Sequence, residues 1–257
     1  MLKLAWFAAS LLLVGFSSYA QEVRLVGNKV ETFINDRNQS SRLTDLVEAA
    51  LGDIEHSITA TTQAWSGSGL RNGQYNGYID HYSLNDFDQN YIYSSPYVTL
   101  DLHVASTDAN AQEISKLDEL YRERVGLETR FANTDQVRSQ RTVKWARAQD
   151  FFSNIEQLAE QRVNYVVADL IMLQEMNKML IAIDQEPLYI SQNPILRVDV
   201  SLAMHTRFDQ AQQTIDAFEN GIEQLRTSGE LASIYVPASG AQSTLDQALY
   251  RDILKRW

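Results

Sequence analysis

Cysteine is absent from all 257 residues. Thiol catalysis, thiolate metal sites and sulfur redox chemistry are therefore excluded, and with no disulfide the fold must rest on a hydrophobic core. A chain of this length can build one. Histidine is scarce as well: His56, His81, His103 and His205 are scattered without metal-ligand spacing, so neither a metal nor any other cofactor is expected. Basic charge is in deficit, with 22 Lys and Arg against 33 Asp and Glu, for a formal charge of -11. That excess of acid repels phosphate backbones and argues against a nucleic-acid partner. Beyond the first 20 residues there is no uninterrupted apolar run of membrane-spanning length.

The first 20 residues are the exception. Lys3 is followed by an apolar run over 4–16 and then by Ser17, Ser18, Tyr19 and Ala20. A charged start, an apolar core and small residues at 18 and 20 read as a secretion signal cleaved after Ala20. A membrane anchor would need about 20 apolar residues. Loss of Lys3 takes the mature chain from -11 to -12. The expected location is the periplasm.

Residues 23–26 read as a strand. Residues 43–58 carry Leu43, Leu46, Val47, Ala50, Leu51 and Ile54 on one helical face, with Ser40 or Ser41 as its cap. The stretch 65–77 holds four glycines and reads as loop, with a short helix at Leu70 and Arg71. Residues 97–105 alternate as a strand leaving the first unit. Polar residues 106–110 then mark a boundary.

The second unit repeats the pattern: helix 114–121, strand 124–127, helix 134–140, strand 142–146, helix 151–161, a buried strand over 163–169 and helix 170–180. Pro187 and Pro194 punctuate the return, and 196–204 alternates as a strand. Residues 207–226 form the longest helical pattern, stopped by Ser228 and Gly229. A last helix is expected over 245–257. Two crossings divide the mature α/β chain into a discontinuous first lobe, 21–104 plus 195–257, and a second, 105–194. Between such lobes lies the usual place for a ligand, and paired crossing strands are natural hinges.

The stretch 73–97, GQYNGYIDHYSLNDFDQNYIYSSPY, is dense in Tyr, Asp and Ser. Two readings fit it: the wall of a small-molecule pocket, or a Tyr-rich strand pair joined by polar turns.

Five local patterns then combine: Gly73-x-Tyr-Asn-Gly77, Tyr93-Ser-Ser-Pro-Tyr97, Arg124-Val-Gly126, Val163-Asn-Tyr-Val-Val-Ala-Asp169, and the ending Thr227-Ser-Gly-Glu-Leu231 followed by Tyr235. In this order they resemble the family 3 extracellular solute-binding proteins, the polar amino-acid-binding type that serves bacterial ABC transporters. The resemblance covers nearly all of the mature chain. It implies a two-lobed periplasmic binding protein type II fold, with two parallel or mixed sheets, flanking helices and two hinge crossings. It also implies a monomer that hands a small-molecule solute to a membrane transporter permease.

The functional residues depart from that pattern. Where the family grips a carboxylate with a Thr-x-x-Arg step, the corresponding positions are Leu84 and Phe87, and no Arg lies between Arg71 and Arg122. The carboxylate clamp is therefore expected to be missing from this lobe. Arg130 stands about where the family has a backbone anion nest. It would either receive an acidic ligand or pair with a surface carboxylate. Asp169 corresponds to the family's acceptor for a ligand amino group, and it also suits a helix cap. Trp65 resembles the aromatic that stacks on ligands, or is a core Trp.

Asp80, His81 and Tyr82 come at a strand end facing the cleft, where Asp80 and His81 point to opposite faces. With Ser94 and Tyr97 from the Ser-x-Pro-Tyr run, the expected ligand-binding set is Trp65, Asp80, Tyr82, Ser94, Tyr97, Arg130 and Asp169. Relatives that dehydrate cyclic acids use an acidic cleft residue, a place for Glu128 or Asp169. No paired base or nucleophile accompanies either, so an enzyme is not expected. The alternative is an orphan sensor or interaction module of the same fold, working with a membrane signalling protein.

Overall fold

A computed structural model describes residues 21–35, 41–84, 86–132, 134–236, 240 and 242–257. The expected secretion signal and Ser40 lie outside them. Among the described residues, no helix is long and apolar enough to cross a membrane.

The first half opens with β1 (Val23–Asn28), α1 (Arg42–Leu51), β2 (His56–Thr61), α2 (Gln63–Arg71) and β3 (Gly77–Tyr82). Strands β2 and β3 both pair with β1 in parallel. The apolar face expected over 43–58 builds α1 only as far as Leu51, because Gly52 adopts φ 54° and stops it. The β-branched run Ile58-Thr59 then joins a strand. The stretch expected as loop from Trp65 is also revised, since α2 runs through it to Arg71.

After β4 (Tyr91–Tyr93), strand β5 (Val98–Ser106) carries the chain into the second half. There follow β6 (Arg124–Glu128), α3 (Thr129–Ala132), α4 (Asp135–Ser139), β7 (Lys144–Ala148), α5 (Phe151–Ala159), β8 (Tyr165–Asp169) and α6 (Leu170–Ala182). In place of the helix expected at 114–121 there are two 3₁₀ turns, Ala109–Glu113 and Leu117–Leu120. Strands β7 and β8 flank β6 in parallel. A short β9 (Tyr189–Ile190) precedes β10 (Leu196–His205), which returns to the first half and leads to α7 (Ala211–Ser228), α8 (Glu230–Tyr235) and α9 (Gln247–Leu254).

The ladder runs β2-β1-β3-β10-β5-β8-β6-β7. The two expected sheets are thus two parallel trios, joined through the antiparallel crossing strands β5 and β10 into one mixed sheet. Each trio aims the C-terminal ends of its strands at the seam between the halves, which is where open α/β sheets bind ligands. Helix α7 packs on α1, and its Gly221 lies so close to the Ala50 carbonyl that any Cβ would collide with it.

Helix α9, expected to complete the first half, contacts both halves. Its Tyr250 ring packs on Phe151 and Phe152 of α5, with centroids 6.5 and 5.3 Å away. Thr244, just before α9, donates its backbone N–H to Glu175 of α6 at 2.6 Å. Toward the first half, Glu31 accepts from the Asp246 backbone N–H at 2.9 Å and from the Tyr250 hydroxyl at 2.8 Å.

Candidate functional site

Strand β3 brings the first functional groups to the seam. Between Ser201 and Ala203 on β10 the register shifts: β10 advances two residues while β3 advances three, from Tyr78 to His81. Ile79 and Asp80 together oppose Leu202, which is a β-bulge, and such bulges re-aim side chains. Tyr78 and His81 consequently meet, with the Tyr78 hydroxyl 3.2 Å from His81 Nδ1. The His81 ring also packs on Phe87 and Tyr93, at 5.0 and 4.4 Å, and Tyr91 bridges to His205. Most of the aromatic density in 73–97 therefore stacks on itself. Its two strands do not pair with each other; β3 and β4 both pair with β10.

Asp80 turns the other way and is buried. Its Oδ2 accepts from the Asn28 side chain at 2.8 Å and from the Asn28 backbone N–H at 3.2 Å, while Oδ1 is buried without a partner. Burial pushes its pKa up from 3.8 to about 6. Burial likewise pushes the Tyr82 phenol up to about 12.

Tyr82 makes a link across the seam. Its hydroxyl accepts from Arg130 Nη1 at 2.9 Å, and its ring meets Phe131 edge-on at 5.6 Å. The rest of the Arg130 guanidinium forms a two-point grip on Glu128, Nε to Oε2 at 3.0 Å and Nη2 to Oε1 at 3.2 Å. Glu128 is buried at the end of β6, so the expected pairing with a surface carboxylate is replaced by a buried ion pair.

Asp169 makes a second link. It caps α6 by accepting from the Met172 N–H at 3.2 Å, and the same Oδ1 accepts from Arg42 Nη2 at 2.8 Å. Arg42, the first residue of α1, is 4% exposed, and its Nε and Nη1 are buried without hydrogen-bond partners. Its guanidinium lies 3.9 Å over the Phe33 ring and 5.0 Å from the Tyr235 ring. Arg130 is 4.8 Å from that same Phe33 ring. Phe33 is presented by a turn in which Thr32, β-branched and buried, adopts φ 63°, a conformation that costs on the order of 1–3 kcal/mol.

The remaining expected residues are placed differently. Trp65 is 71% exposed on the first turn of α2, which removes the core reading and leaves its ring on the surface. Its neighbour Ser66 donates to Asn28 Oδ1 at 2.8 Å, behind Asp80. Ser94 uses its hydroxyl on the backbone, donating to the Ser95 carbonyl and accepting from the Leu202 N–H. Tyr97 donates to the Ile79 carbonyl at 2.7 Å and holds the bulge. Sequence reasoning missed Phe33, Arg42 and Tyr235 as members of this candidate network. An aromatic inside the polar segment after β1 was the available signal for Phe33.

A cavity of about 430 Å³ opens beside this network, lined by Ser83, Leu84, Asp86 and Phe87 from the loop after β3 and by Thr134, Asp135, Gln136 and Arg138 around α4. Leu84 and Phe87 are the positions where a Thr-x-x-Arg grip was expected to be replaced. Arg138, the cation of this lining, pairs with Asp135 at 2.9 Å. Among the described residues, no group of three or more His, Asp or Glu is placed to hold a metal ion.

No protein-family model matches the sequence, and no curated protein sequence matches it. Solved structures do match. The GluR0 ligand-binding core in complex with L-glutamate aligns with a TM-score of 0.67 at 12% identity, over 85% of this chain and 97% of that one. The VFT2 domain of Bordetella pertussis BvgS aligns at 0.64 and 16% identity, over 83% and 91%. The Streptococcus pneumoniae amino acid ABC transporter substrate-binding protein AbpA, bound to L-arginine, aligns at 0.60 and 14%, over 91% and 95%. Together with the strand order, these likenesses show a two-lobed α/β fold of the periplasmic binding protein type.

Proposed function

We propose that this chain is an exported, periplasmic solute-binding protein that closes two lobes over a small polar or aromatic solute and hands it to an ABC transporter. One lobe comprises 21–104 with β10, α7 and α8; the other comprises 105–194, and α9 contacts both. The observation that carries this reading is the seam: Asp80, Tyr82, Glu128, Arg130, Arg42 and Asp169 meet there from both trios, with polar atoms of Asp80 and Arg42 buried and unpaired. Buried polar atoms without partners are rare and call for a ligand, water or ion.

Asp80, Tyr82, Arg130 and Asp169 form the inner part of the proposed site, and Trp65 lies on its rim. Ser94 and Tyr97 act one layer behind, holding backbone. The usual carboxylate clamp is missing from the segment after β3. Binding, not catalysis, suits the two acids once considered for proton transfer, since Arg130 holds both oxygens of Glu128 and Arg42 holds Asp169. The protein acts as a monomer.

A thermal-shift screen of the mature chain against a broad metabolite panel tests this, together with mass spectrometry of whatever co-purifies. A ligand raising the unfolding midpoint supports the reading; a flat panel and an empty protein remove it. One observation favours the second reading, a sensor or interaction module working with a membrane signalling protein. The chain's own residues already bridge the seam, through Arg42 to Asp169, Arg130 to Tyr82, and the Tyr250 hydroxyl to Glu31 at 2.8 Å. A cleft that stays shut in solution scattering whether or not metabolites are added would select that alternative.

A further inference from the structure

Among the described residues, the seam holds three buried carboxylates, Asp80, Glu128 and Asp169, and two buried guanidiniums, Arg42 and Arg130. Each guanidinium is paired with one carboxylate, although Arg42 keeps Nε and Nη1 buried without hydrogen-bond partners. Arg130 grips Glu128 at two points, and Arg42 donates to the Asp169 oxygen that also caps α6. The two pairs neutralise themselves and leave Asp80 as the surplus charge. It has only the neutral donors of Asn28 on one oxygen and nothing on the other. Arg130 spends its hydrogen bonds on Glu128 and Tyr82, and it acts on Asp80 only through its charge, which lowers the carboxyl's pKa against the larger effect of burial.

We propose that the solute recognised here is an organic cation, and that its ammonium or amidinium group is received by Asp80 and not by Asp169. This rests on the solute-binding reading above and goes beyond it by naming the chemical class and the receiving atom, Asp80 Oδ1. Asp169 is closed to a solute cation because Arg42 supplies one from within the chain. A second positive group in the seam would restore charge balance, whereas an acid would add a second uncompensated anion. The aromatic rings of the seam show the same preference toward the chain's own cations. Phe33 already carries a guanidinium against its ring at 3.9 Å, and Tyr82 and Tyr235 lie within 5.5 and 5.0 Å of guanidinium carbons. Aromatic faces attract cations and do not attract anions. The unpaired oxygen requires a hydrogen-bond donor, so primary amines, amidines and guanidines fit and quaternary ammonium does not.

The test uses the mature chain, 21–257, at pH 7.5, with matched probes that share a skeleton and differ in charge. Tyramine is compared with tyrosol and 4-hydroxyphenylacetate, and agmatine with N-acetylagmatine, by titration calorimetry. At least one cation should bind, with its neutral or anionic counterpart at least about tenfold weaker. Asp80→Asn should weaken that cation by at least about tenfold, while Asp53→Asn, an exposed control on the loop after α1, leaves it unchanged. Thermal unfolding of both variants confirms that they fold. Preference for the neutral or acidic probe, or an unaltered dissociation constant in Asp80→Asn, overturns the proposal. If none of these cations binds while a neutral or acidic metabolite does, the solute reading stands and the cation assignment falls. If nothing in the broad panel binds, both fall.

Discussion

Replacing Asp80 by Asn should stabilise this protein at neutral pH and do little at pH 4. Asp80 is 4% exposed and its carboxyl is pushed from 3.8 to about 6, chiefly by burial, with the Asn28 hydrogen bonds pulling only part of the way back. A carboxyl that holds its proton more tightly in the folded chain than in the unfolded one stabilises the fold while it stays protonated. That contribution is complete below pH 3.8, is lost as pH rises through about 6, and stays lost above it. At 1.36 kcal/mol per pKa unit, the ionised carboxylate costs the fold about 3 kcal/mol at pH 7.5.

Asn carries the same shape without the charge, and its carbonyl can still accept from Asn28. Its amide N–H₂, standing where Oδ1 stands, is left unpaired, which takes back about 1 kcal/mol or more. The expected gain at pH 7.5 is therefore about 1–2 kcal/mol, or roughly 2–8 °C in unfolding midpoint for a chain of this size. Thermal unfolding followed by circular dichroism at pH 4.0, 5.0, 6.0 and 7.5, at fixed ionic strength, reads this directly. All other titrating groups are common to both proteins, so the difference between the two curves isolates Asp80. The gap should open between pH 4 and about 6.5 and then level off. A variant less stable than wild type at pH 7.5, or a gap that is the same at pH 4.0 and 7.5, would refute the reasoning.

Three further outcomes follow from the contacts. Asp169→Ala removes the partner of a buried Arg42 and the cap of α6, so it should cost about 3–5 kcal/mol of stability in denaturant unfolding, a loss that solvent-exposed pairs such as Arg226–Glu223 would not produce. Trp65→Ala should leave the unfolding midpoint within about 0.5 kcal/mol of wild type, because the ring is exposed, while titration calorimetry shows any loss of solute affinity. Gly221→Ala drives a Cβ into the Ala50 carbonyl where α7 crosses α1, and should destabilise by about 1–3 kcal/mol in chemical denaturation.

The parts of the fold that periodicity controls were legible. The stripe of Ile215, Phe218, Ile222 and Leu225 buries α7 as its spacing requires, and the alternating runs at 97–105 and 196–204 are the crossing strands β5 and β10. Boundaries set by a single backbone torsion were not. Ile54 continues the apolar face of α1 on paper, yet the chain turns at Gly52 before reaching it, through a torsion that composition does not encode. Of the candidate residues, Asp80, Tyr82, Arg130 and Asp169 drew attention because they sit at or beside strand ends, where one-dimensional order already fixes position. Arg42 could not. It precedes the apolar face of an amphipathic helix, a place where Arg is ordinarily solvated, and its partner lies 127 residues away. The β3 bulge was equally hidden, since it follows from pairing with β10.

The seam combines two closed ion pairs with one buried carboxyl that has no charged hydrogen-bond partner. A buried ion pair seldom gains more from attraction than it loses in desolvation, so Arg42–Asp169 and Arg130–Glu128 are weak sources of net stability, though each is costly to break by halves. What they supply is definition: both guanidiniums lie against the Phe33 ring, at 3.9 and 4.8 Å, which fixes how the two halves meet there. Two residues that a generic core would not retain point the same way. Thr32 holds a strained torsion to present Phe33, and Asp80 remains a buried acid where Asn would be less costly. Strain and a buried acid in one seam are the pattern expected where stability is sacrificed for recognition. A solute cation meeting Asp80 would recover the energy that its ionisation costs the empty fold, which couples affinity to the same proton that governs stability.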